Sequence, residues 1–521
     1  MFRSPHGEIT VPQQSLTEFV LNEGRGQTRQ AALVDGVSGR AVTHGELREQ
    51  VRRIAAGLSA IGIRKGDVVG LCSPNSPEFA IAFHAAARLG ATVTPANPAN
   101  TAHELAHQLR DAGAKLLIAS AALADKAREA IAESRHAIEL IATNDTAPGL
   151  RSLASIARDV DPPPVTINPT TDVVALPYSS GTTGLPKGVM LTHRNLVANL
   201  VQLEAVERSG LHSFIGVLPF FHIYGLVVVL NFGLRMGTTI VTLPRFEPES
   251  FLKALQDWRV EIAHIVPPMA VALAKHPAVK SYDLRHLEAL FSGAAPLGPS
   301  VTEALQQRLN VLVKQGYGMT EASPLTHYSD THSIVRPGTV GRLVPSTECR
   351  IVDVESGRDA DVGAAGEIWI RGPQVMQGYL NNPEATAHTV DQDGWLHTGD
   401  IGTVDADGYF TIVDRLKELI KVKGYQVAPA ELEALLLQHP HIADAAVIPV
   451  LDEECGEVPK ALVVARGHLT AAEVIAFVHA QVAHYKRIHR VAFVDAIPKS
   501  ASGKILRRVL VAQERGAHAG A

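Results

Sequence analysis

The stretch Tyr178–Val189 reads YSSGTTGLPKGV and holds two serines, two threonines, three glycines and a lysine. It follows an apolar run, Val173-Val174-Ala175-Leu176. Hydroxyls and glycine backbone beside one lysine form a cradle for phosphate, with many donors, little bulk and one positive charge. A P-loop requires G-x-x-x-x-G-K-[ST]. Counting from Gly181 puts Pro186 where the second glycine belongs, and Gly188 stands after Lys187 where a hydroxyl should hold magnesium. The P-loop reading fails at both places. An ordinary turn between a strand and a helix is the plain alternative.

Three further stretches carry residue types suited to nucleotide chemistry. In QGYGMTE (Gln315–Glu321) Tyr317 suits stacking on a planar base, and the flanking glycines permit close backbone approach. Thr320 suits donation to a phosphate and Glu321 suits Mg²⁺, although a strand-to-loop corner plugged by an aromatic explains the same letters. In HTGD (His397–Asp400) the carboxylate of Asp400 suits the two hydroxyls of a ribose, with Arg415 as a second partner. Asp after Gly is also everyday turn chemistry. PKSASGKILRR (Pro498–Arg508) offers Lys504 on a Ser/Gly-rich loop with two arginines behind it. Such a run is either a solvated basic tail or a mobile lysine that neutralises charge developing on phosphorus.

These stretches need a scaffold, and the chain is long enough for several units at 521 residues. Short β-branched runs alternate with Ala/Leu-rich helical patterns from about residue 28 to 420. Asp67–Leu71 reads as a strand, Pro77–Leu89 as an amphipathic helix and Ala91–Pro95 as a strand; Lys115–Ile118, Thr238–Leu243 and Glu261–Val266 continue the beat. That alternation predicts α/β architecture, doubly wound and mostly parallel. Residues 335–413 change to short strands with Gly and Asp turns, a smaller β-rich subdomain. Past the charged segment DRLKELIKVKG the pattern predicts a small α/β domain with helices at Ala430–Gln438 and Ala471–Gln481 and strands at Ala445–Val450 and Val491–Val494. The division falls at 1–415 and 416–521. Residues 158–170, rich in proline, read as a connector.

Composition narrows the partners. Hydrophobic residues are 46% and charged residues 19%, and 48 basic against 53 acidic residues give a net charge of −5. Nothing there asks for nucleic acid or an anionic membrane. The most membrane-like run, Ile215–Leu234, contains Pro219, His222 and Asn231 and reads as a buried strand, a turn and a buried helix. Three scattered cysteines (Cys72, Cys349, Cys455) suit a reducing compartment. MFRSPHGEIT lacks a signal peptide's apolar region and RGAHAGA is no peroxisomal address. The expectation is a soluble, cytoplasmic protein.

Taken in order, YSSGTTGLPKG, QGYGMTE, GWLHTGD, DRLKELIKVKGYQVAPAELE and PKSASGKILRR resemble the adenylate-forming enzymes, the acyl-CoA synthetases. The hinge-like segment and SGAAPLG at Ser292–Gly298 look closest to 4-coumarate–CoA ligases, and the resemblance covers nearly the whole chain. It implies two steps: a carboxylate takes the α-phosphate of MgATP to give an acyl-adenylate, and coenzyme A then displaces AMP. By resemblance, Ser179, Ser180, Gly181, Thr182, Thr183 and Lys187 hold the departing phosphates. Gln315, Gly316, Tyr317 and Thr320 line the adenylate, Glu321 holds Mg²⁺, and Asp400 and Arg415 hold the ribose. Lys504 serves adenylation. Lys417 matches the hinge residue about which the small domain turns to present Lys421, Lys423, Gly424 and Gln426 to the second step, Lys423 and Gly424 contacting coenzyme A.

The resemblance also marks His222 as a gate between acyl and thiol sites, with a positioning rather than a proton-transfer role. Tyr224, Val228 and Ala294 match the acyl-pocket wall. Plant 4-coumarate–CoA ligases carry Asn and Ser where this chain has Val227 and Val228, which makes the wall more apolar and a buried phenolic hydroxyl costlier. Cinnamate, 4-coumarate or another phenylpropanoid-type acid is the expected substrate, with a medium-chain fatty acid as the alternative. An adenylation enzyme loading a carrier protein, a binding protein without chemistry and a luciferase-like oxygenase are the other readings. No carrier domain is appended after Lys504, and intact Lys187, Glu321, Lys417 and Lys504 favour chemistry.

Overall fold

A computed structural model describes residues 1–144, 149–179, 186–207, 210–330, 334–423, 425–452, 455–501 and 503–519. Two large sheets form the body. One runs Gly378–Tyr379, Lys187–Thr192, Val173–Ala175, Thr92–Pro95, Val68–Cys72, Ala114–Ala119 and Glu139–Ala142 in spatial order, with Tyr178–Ser179 beside Lys187–Thr192. The other has a parallel centre of Leu312–Gly318, Ala289–Ser292, Ile262–Ile265, Ser213–Gly216, Thr239–Thr242 and Ala31–Asp35. Antiparallel strands close its edges: Leu325–Tyr328 and Arg342–Leu343 on one side, Ala41–Thr43 on the other. The parallel centres confirm the α/β expectation, and both faces of such strands must be covered.

The helix Pro77–Arg88 shows how they are covered. Ser76 caps it by accepting from the Phe79 N–H at 3.3 Å, and Pro77 occupies its first turn. The sequence predicts an amphipathic helix here; instead Phe79 through Ala87 are all buried. It packs between strands of both large sheets, so no face reaches water. The run Ile215–Leu234 resolves into a strand, a turn and a helix as expected, but Tyr224–Asn231 is a π-helix before Phe232–Met236 turns α-helical. Gly225 is required there, because a Cβ would lie 2.2 Å from the Pro219 carbonyl oxygen.

The β-rich stretch supplies Glu348–Val352, Gly366–Arg371, Leu396–Val404 and Phe410–Arg415 to a five-stranded antiparallel sheet, whose outer strand is Phe2–Arg3. Arg342–Leu343 and Gly378–Tyr379, from the same stretch, leave it to join the two large sheets. A local pattern reveals a strand but not its neighbour.

The sheet that ends at Arg415 and the sheet that begins at Ile420 share no strand. The second sheet orders Tyr425–Val427, Ile420–Val422, Gly456–Ala465 and Ile442–Asp452, with Arg490–Phe493 parallel to Gly456–Ala465. Helices Pro429–Leu436 and Ala471–His479 cover it, and its apolar clusters are separate from the core of the two large sheets. A terminal helix, Arg507–Ala519, begins at the two arginines that end PKSASGKILRR.

Candidate active site

One cleft of about 2250 Å³ lies between the large body and the C-terminal part, and residues from both line it. Glu321 lines it, with the residue only 5% exposed. Glu321 Oε1 accepts from Ser179 Oγ at 3.0 Å and from the Tyr379 hydroxyl at 2.8 Å. Lys187 stands with its Nζ 4.7 Å from the centre of the Tyr379 ring. Antiparallel pairing explains the convergence: Lys187 faces Ser179, and Val189, on the Lys187 strand, faces Tyr379. Burial, then the charge of Glu321, pushes the Tyr379 phenol up, so it stays a donor. Ser180, Gly181, Thr182, Thr183 and Gly424 lie outside the described residues.

A second group is built around Tyr317. Its hydroxyl donates to Asp400 Oδ2 at 2.6 Å, and Arg415 Nε stands 3.5 Å from Asp400 Oδ1. Asp400 and Arg415 are partners across two antiparallel strands. Burial raises the Asp400 carboxyl, with Arg415 and then Tyr317 opposing. The Tyr317 ring rests against His327 at 5.5 Å, and His327 against Phe410 at 4.3 Å. Gly316 and Thr320 line the cleft beside them. Gly316 has no room for a side chain, since a Cβ would meet Phe291 Cζ at 2.7 Å.

Gln315 differs from its expected place. It does not line the cleft; its side chain accepts from the Leu297 N–H at 3.0 Å and donates to the Leu297 carbonyl at 3.2 Å. It therefore fixes the loop that carries Ala294. A buried amide satisfied on both atoms is spent on backbone, not on ligand.

Tyr224, Val228 and Ala294, the wall expected from the sequence, all line the cleft. Val227 is fully buried and outside that wall, which corrects the sequence expectation. Phe291 takes a place there that sequence reasoning missed, and the Tyr224 hydroxyl donates to its carbonyl at 3.0 Å. Ala294 has φ of 71°, in the left-handed region. His222 Nδ1 accepts from the Tyr224 N–H at 3.3 Å. Burial, then the Lys504 ammonium, lowers its pKa to about 4, so the ring is neutral at neutral pH.

Lys504 enters from the C-terminal part. Its loop is closed by Ser500 N–H to the Lys504 carbonyl at 2.8 Å and by Lys504 N–H to Ser500 Oγ at 3.1 Å. At Gly503, φ 79°, a Cβ would sit 3.0 Å from Val266 Cγ2, so the loop tip packs on the large body. Burial and then Arg415 lower the Lys504 pKa, while Asp400, Glu321 and Glu418 favour the ammonium. Lys417 is exposed at the cleft rim. Lys421, Lys423 and Gln426 are exposed on the hairpin of Ile420–Val422 and Tyr425–Val427 and do not line the cleft. Among the described residues no cluster of three or more His, Cys, Asp or Glu could hold a metal ion alone, and no helix is long and apolar enough to cross a membrane.

The architecture is the adenylate-forming enzyme fold. Residues 22–380 match the family described as AMP-binding enzyme and residues 431–504 match the AMP-binding enzyme C-terminal domain; the chain belongs to this family. It is 45% identical to 4-coumarate–CoA ligase 5 of Oryza sativa subsp. japonica, covering 98% of this chain and 97% of that one. It is 46% identical to 4-coumarate–CoA ligase of Pinus taeda over 92% of this chain and 91% of that protein. Among solved structures, the anthranilate CoA ligase AuaEII in complex with anthranoyl-AMP superposes with a TM-score of 0.89 at 25% identity, covering 98% of this chain and 99% of that one. ATP-bound MatB from Rhodopseudomonas palustris superposes with a TM-score of 0.87 at 30% identity, covering 96% and 99%.

Proposed function

We propose that the acid this chain activates is a cinnamate-type aromatic carboxylate. The reaction class is ATP-dependent acid–CoA ligation through an acyl-adenylate. A carboxylate oxygen forms a bond to the α-phosphorus of ATP as the bond to the pyrophosphate oxygen breaks. The sulfur of coenzyme A then bonds the acyl carbon, AMP leaves, and the thiol proton passes to solvent.

The roles follow from what each group offers. Ser179 and Lys187, with Ser180, Gly181, Thr182 and Thr183 between them in sequence, screen pyrophosphate as it leaves. Tyr317 backs the adenine, and Asp400 with Arg415 takes the ribose hydroxyls. Lys504 neutralises charge that builds on the α-phosphate in the transition state, which favours the first step. His222, neutral, holds the passage between acyl and thiol sides through its bond to Tyr224. Glu321 fits Mg²⁺: one buried carboxylate among hydroxyls, with phosphate oxygens supplied by substrate, is the donor set this hard cation accepts. Bound there, Mg²⁺ would neutralise phosphate charge. We divide the chain at 1–415 and 416–521 and assign Lys417 as the turning point that brings Lys421, Lys423, Gly424 and Gln426 to the cleft for the second step. Three cysteines without a disulfide among them suit the cytoplasm.

The observation that carries the reading is the placement of Lys504, half-buried in the cleft with Asp400 and Glu321 while Lys421 and Lys423 are exposed and outside it. The aromatic acid rests on a wall of Tyr224, Val228, Phe291 and Ala294. The test is thioester formation with coenzyme A, and release of AMP and pyrophosphate, across cinnamates, benzoates and fatty acids. Preference for octanoate would overturn the aromatic assignment, and inactivity with free coenzyme A but transfer to a phosphopantetheinyl carrier would overturn the thiol.

A further inference from the structure

Two adjacent arginines end the Lys504 loop, and they are treated differently. Arg508 is exposed, whereas the Arg507 side chain is only 12% exposed. Arg507 Nη2 binds Glu433 Oε2 at 2.6 Å, Nη1 pairs with Glu418, and Nε donates to the Val447 carbonyl at 3.1 Å. Glu433 Oε1 meanwhile accepts from the Val447 N–H at 2.8 Å. Val447 lies on Ile442–Asp452, the last strand in the order of its sheet. Its outward N–H and C=O are thus both taken by one ion pair, which seals that edge. Arg507, Glu433 and Val447 close a ring of hydrogen bonds, to which Glu418 is tied through Arg507, so that the strand edge, the helix Pro429–Leu436, the Glu418 segment and the base of the Lys504 loop are joined.

The ring also faces the turning point. Glu418 follows Lys417 directly, and Asp414 precedes it. Asp414 Oδ2 accepts from the Ala430 N–H at 2.8 Å, at the start of the helix that carries Glu433. The Arg507 charge acts on Asp414, Glu418 and Glu433 together. A buried ion pair of this kind contributes little net stability, because desolvation offsets attraction, but it fixes geometry firmly.

We infer that Arg507 is a positioning residue for Lys504: by binding Glu418, Glu433 and Val447 it makes the lysine loop rigid with the segment just past the turning point. Lys504 then arrives in the cleft at a defined depth each time the small domain docks. The inference rests on the two-orientation reading above. It predicts a one-sided effect, since the second step does not use Lys504.

The test compares Arg507→Gln, Arg507→Lys, Glu418→Gln and Arg508→Gln in the full chain. Two rates are read: acid-dependent ATP–pyrophosphate exchange, and consumption of presynthesised acyl-adenylate by coenzyme A. Arg507→Gln should lower kcat for exchange about 10- to 100-fold, with KM for ATP held within about twofold, since the lost interaction belongs to the transition state. Consumption of the adenylate should stay near the parent rate, and Arg507→Lys should recover part of the loss. Glu418→Gln, milder because that side chain is 22% exposed, should show the same bias to a smaller degree. Arg508→Gln should leave both rates unchanged. Equal loss of both rates in Glu418→Gln, or the same bias in Arg508→Gln, overturns the inference. Lys504→Ala run in parallel separates the two levels. If it too lowers both rates equally, the two-orientation reading falls; if it is biased and the Arg507 and Glu418 variants are not, only the role of Arg507 falls.

Discussion

The C-terminal part carries lysines on two faces, and the cleft sees only one of them. Lys504 sits on a short closed loop whose tip packs on Val266, its ammonium desolvated and set among Arg415, Asp400 and Glu321. Lys421 and Lys423 sit exposed on a hairpin, where Lys421 N–H donates to Glu457 Oε2 and Lys423 N–H to the Cys455 carbonyl, each at 2.9 Å. Desolvating a lysine is costly unless nearby carboxylates compensate it, and Lys504 bears that cost while the exposed pair does not. On the proposed two-orientation reading, this arrangement serves one half-reaction and holds the tools of the other outside the cleft.

The largest expected effect breaks the contrast at Lys504. Lys504→Ala should slow adenylate formation about 10²- to 10³-fold, the usual loss for one stabilising contact made in the transition state. Presynthesised acyl-adenylate plus coenzyme A should still give thioester at close to the parent rate. Equal loss in both measurements would falsify the assignment of the cleft to the first step. Lys421→Ala and Lys423→Ala test the other face. They should slow thioester release by about tenfold to a hundredfold, keeping most of the exchange activity, because transient contacts to a mobile substrate contribute less than a buried charge. Exchange lost as fully as in Lys504→Ala would show that the hairpin already serves adenylation.

How much of this was legible in the sequence depends on whether partners are neighbours in the chain. Ser179, Lys187, Glu321, Asp400 and Lys504 lie in compact motifs, so residue types and spacing mark them as candidates, and the order of the motifs, through the family resemblance, decides against the plain turn and tail readings. Tyr379 and Phe291 escape notice because pairing puts them in place. Tyr379 reaches Glu321 through the strand opposite Val189, and Phe291, on the strand Ala289–Ser292, meets Tyr224 from a distant helix. Gln315 stands inside a motif yet binds Leu297 rather than lining the cleft, and nothing local in the sequence says that Leu297 competes for its amide. The buried helix Pro77–Arg88 was read as amphipathic for a similar reason. Its polar letters are few, but periodicity cannot tell one covered face from two.

The third test uses proton affinity. Burial and Arg415 lower the pKa of Lys504, so its ammonium is lost at a lower pH than that of an ordinary lysine. Adenylation needs the charged form, which is the low-pH form, so exchange should fall as pH rises while thioester formation from presynthesised adenylate persists. Lys504→Arg, charged throughout, should remove that alkaline limb whatever its absolute rate. Coincident alkaline limbs in the two half-reactions would remove the distinction between desolvated and exposed lysines. His222, with its pKa lowered to about 4, should add no limb near neutrality in either measurement.

The smallest effects concern the acyl wall, which both half-reactions share. The wall contains one hydroxyl, that of Tyr224, and it already donates to the Phe291 carbonyl. An apolar wall discriminates against an added hydroxyl by about 10²-fold at most, whereas a site built to bond one rejects its absence far more strongly. Cinnamate and 4-coumarate should therefore both be accepted, with kcat/KM values close together. Ala294 lends itself to a sharper test, because its left-handed backbone suits glycine and Ala294→Gly removes a methyl without straining the loop that Gln315 holds. Deleting that methyl should admit methoxy groups, raising kcat/KM for ferulate relative to cinnamate by several-fold, the scale of one methylene in an apolar pocket. Exchange and thioester formation should shift together, since the acyl group occupies the same wall in both steps. A gain confined to one half-reaction, or unchanged ring tolerance, would mean that Ala294 touches the mobile part of the site and not the acid.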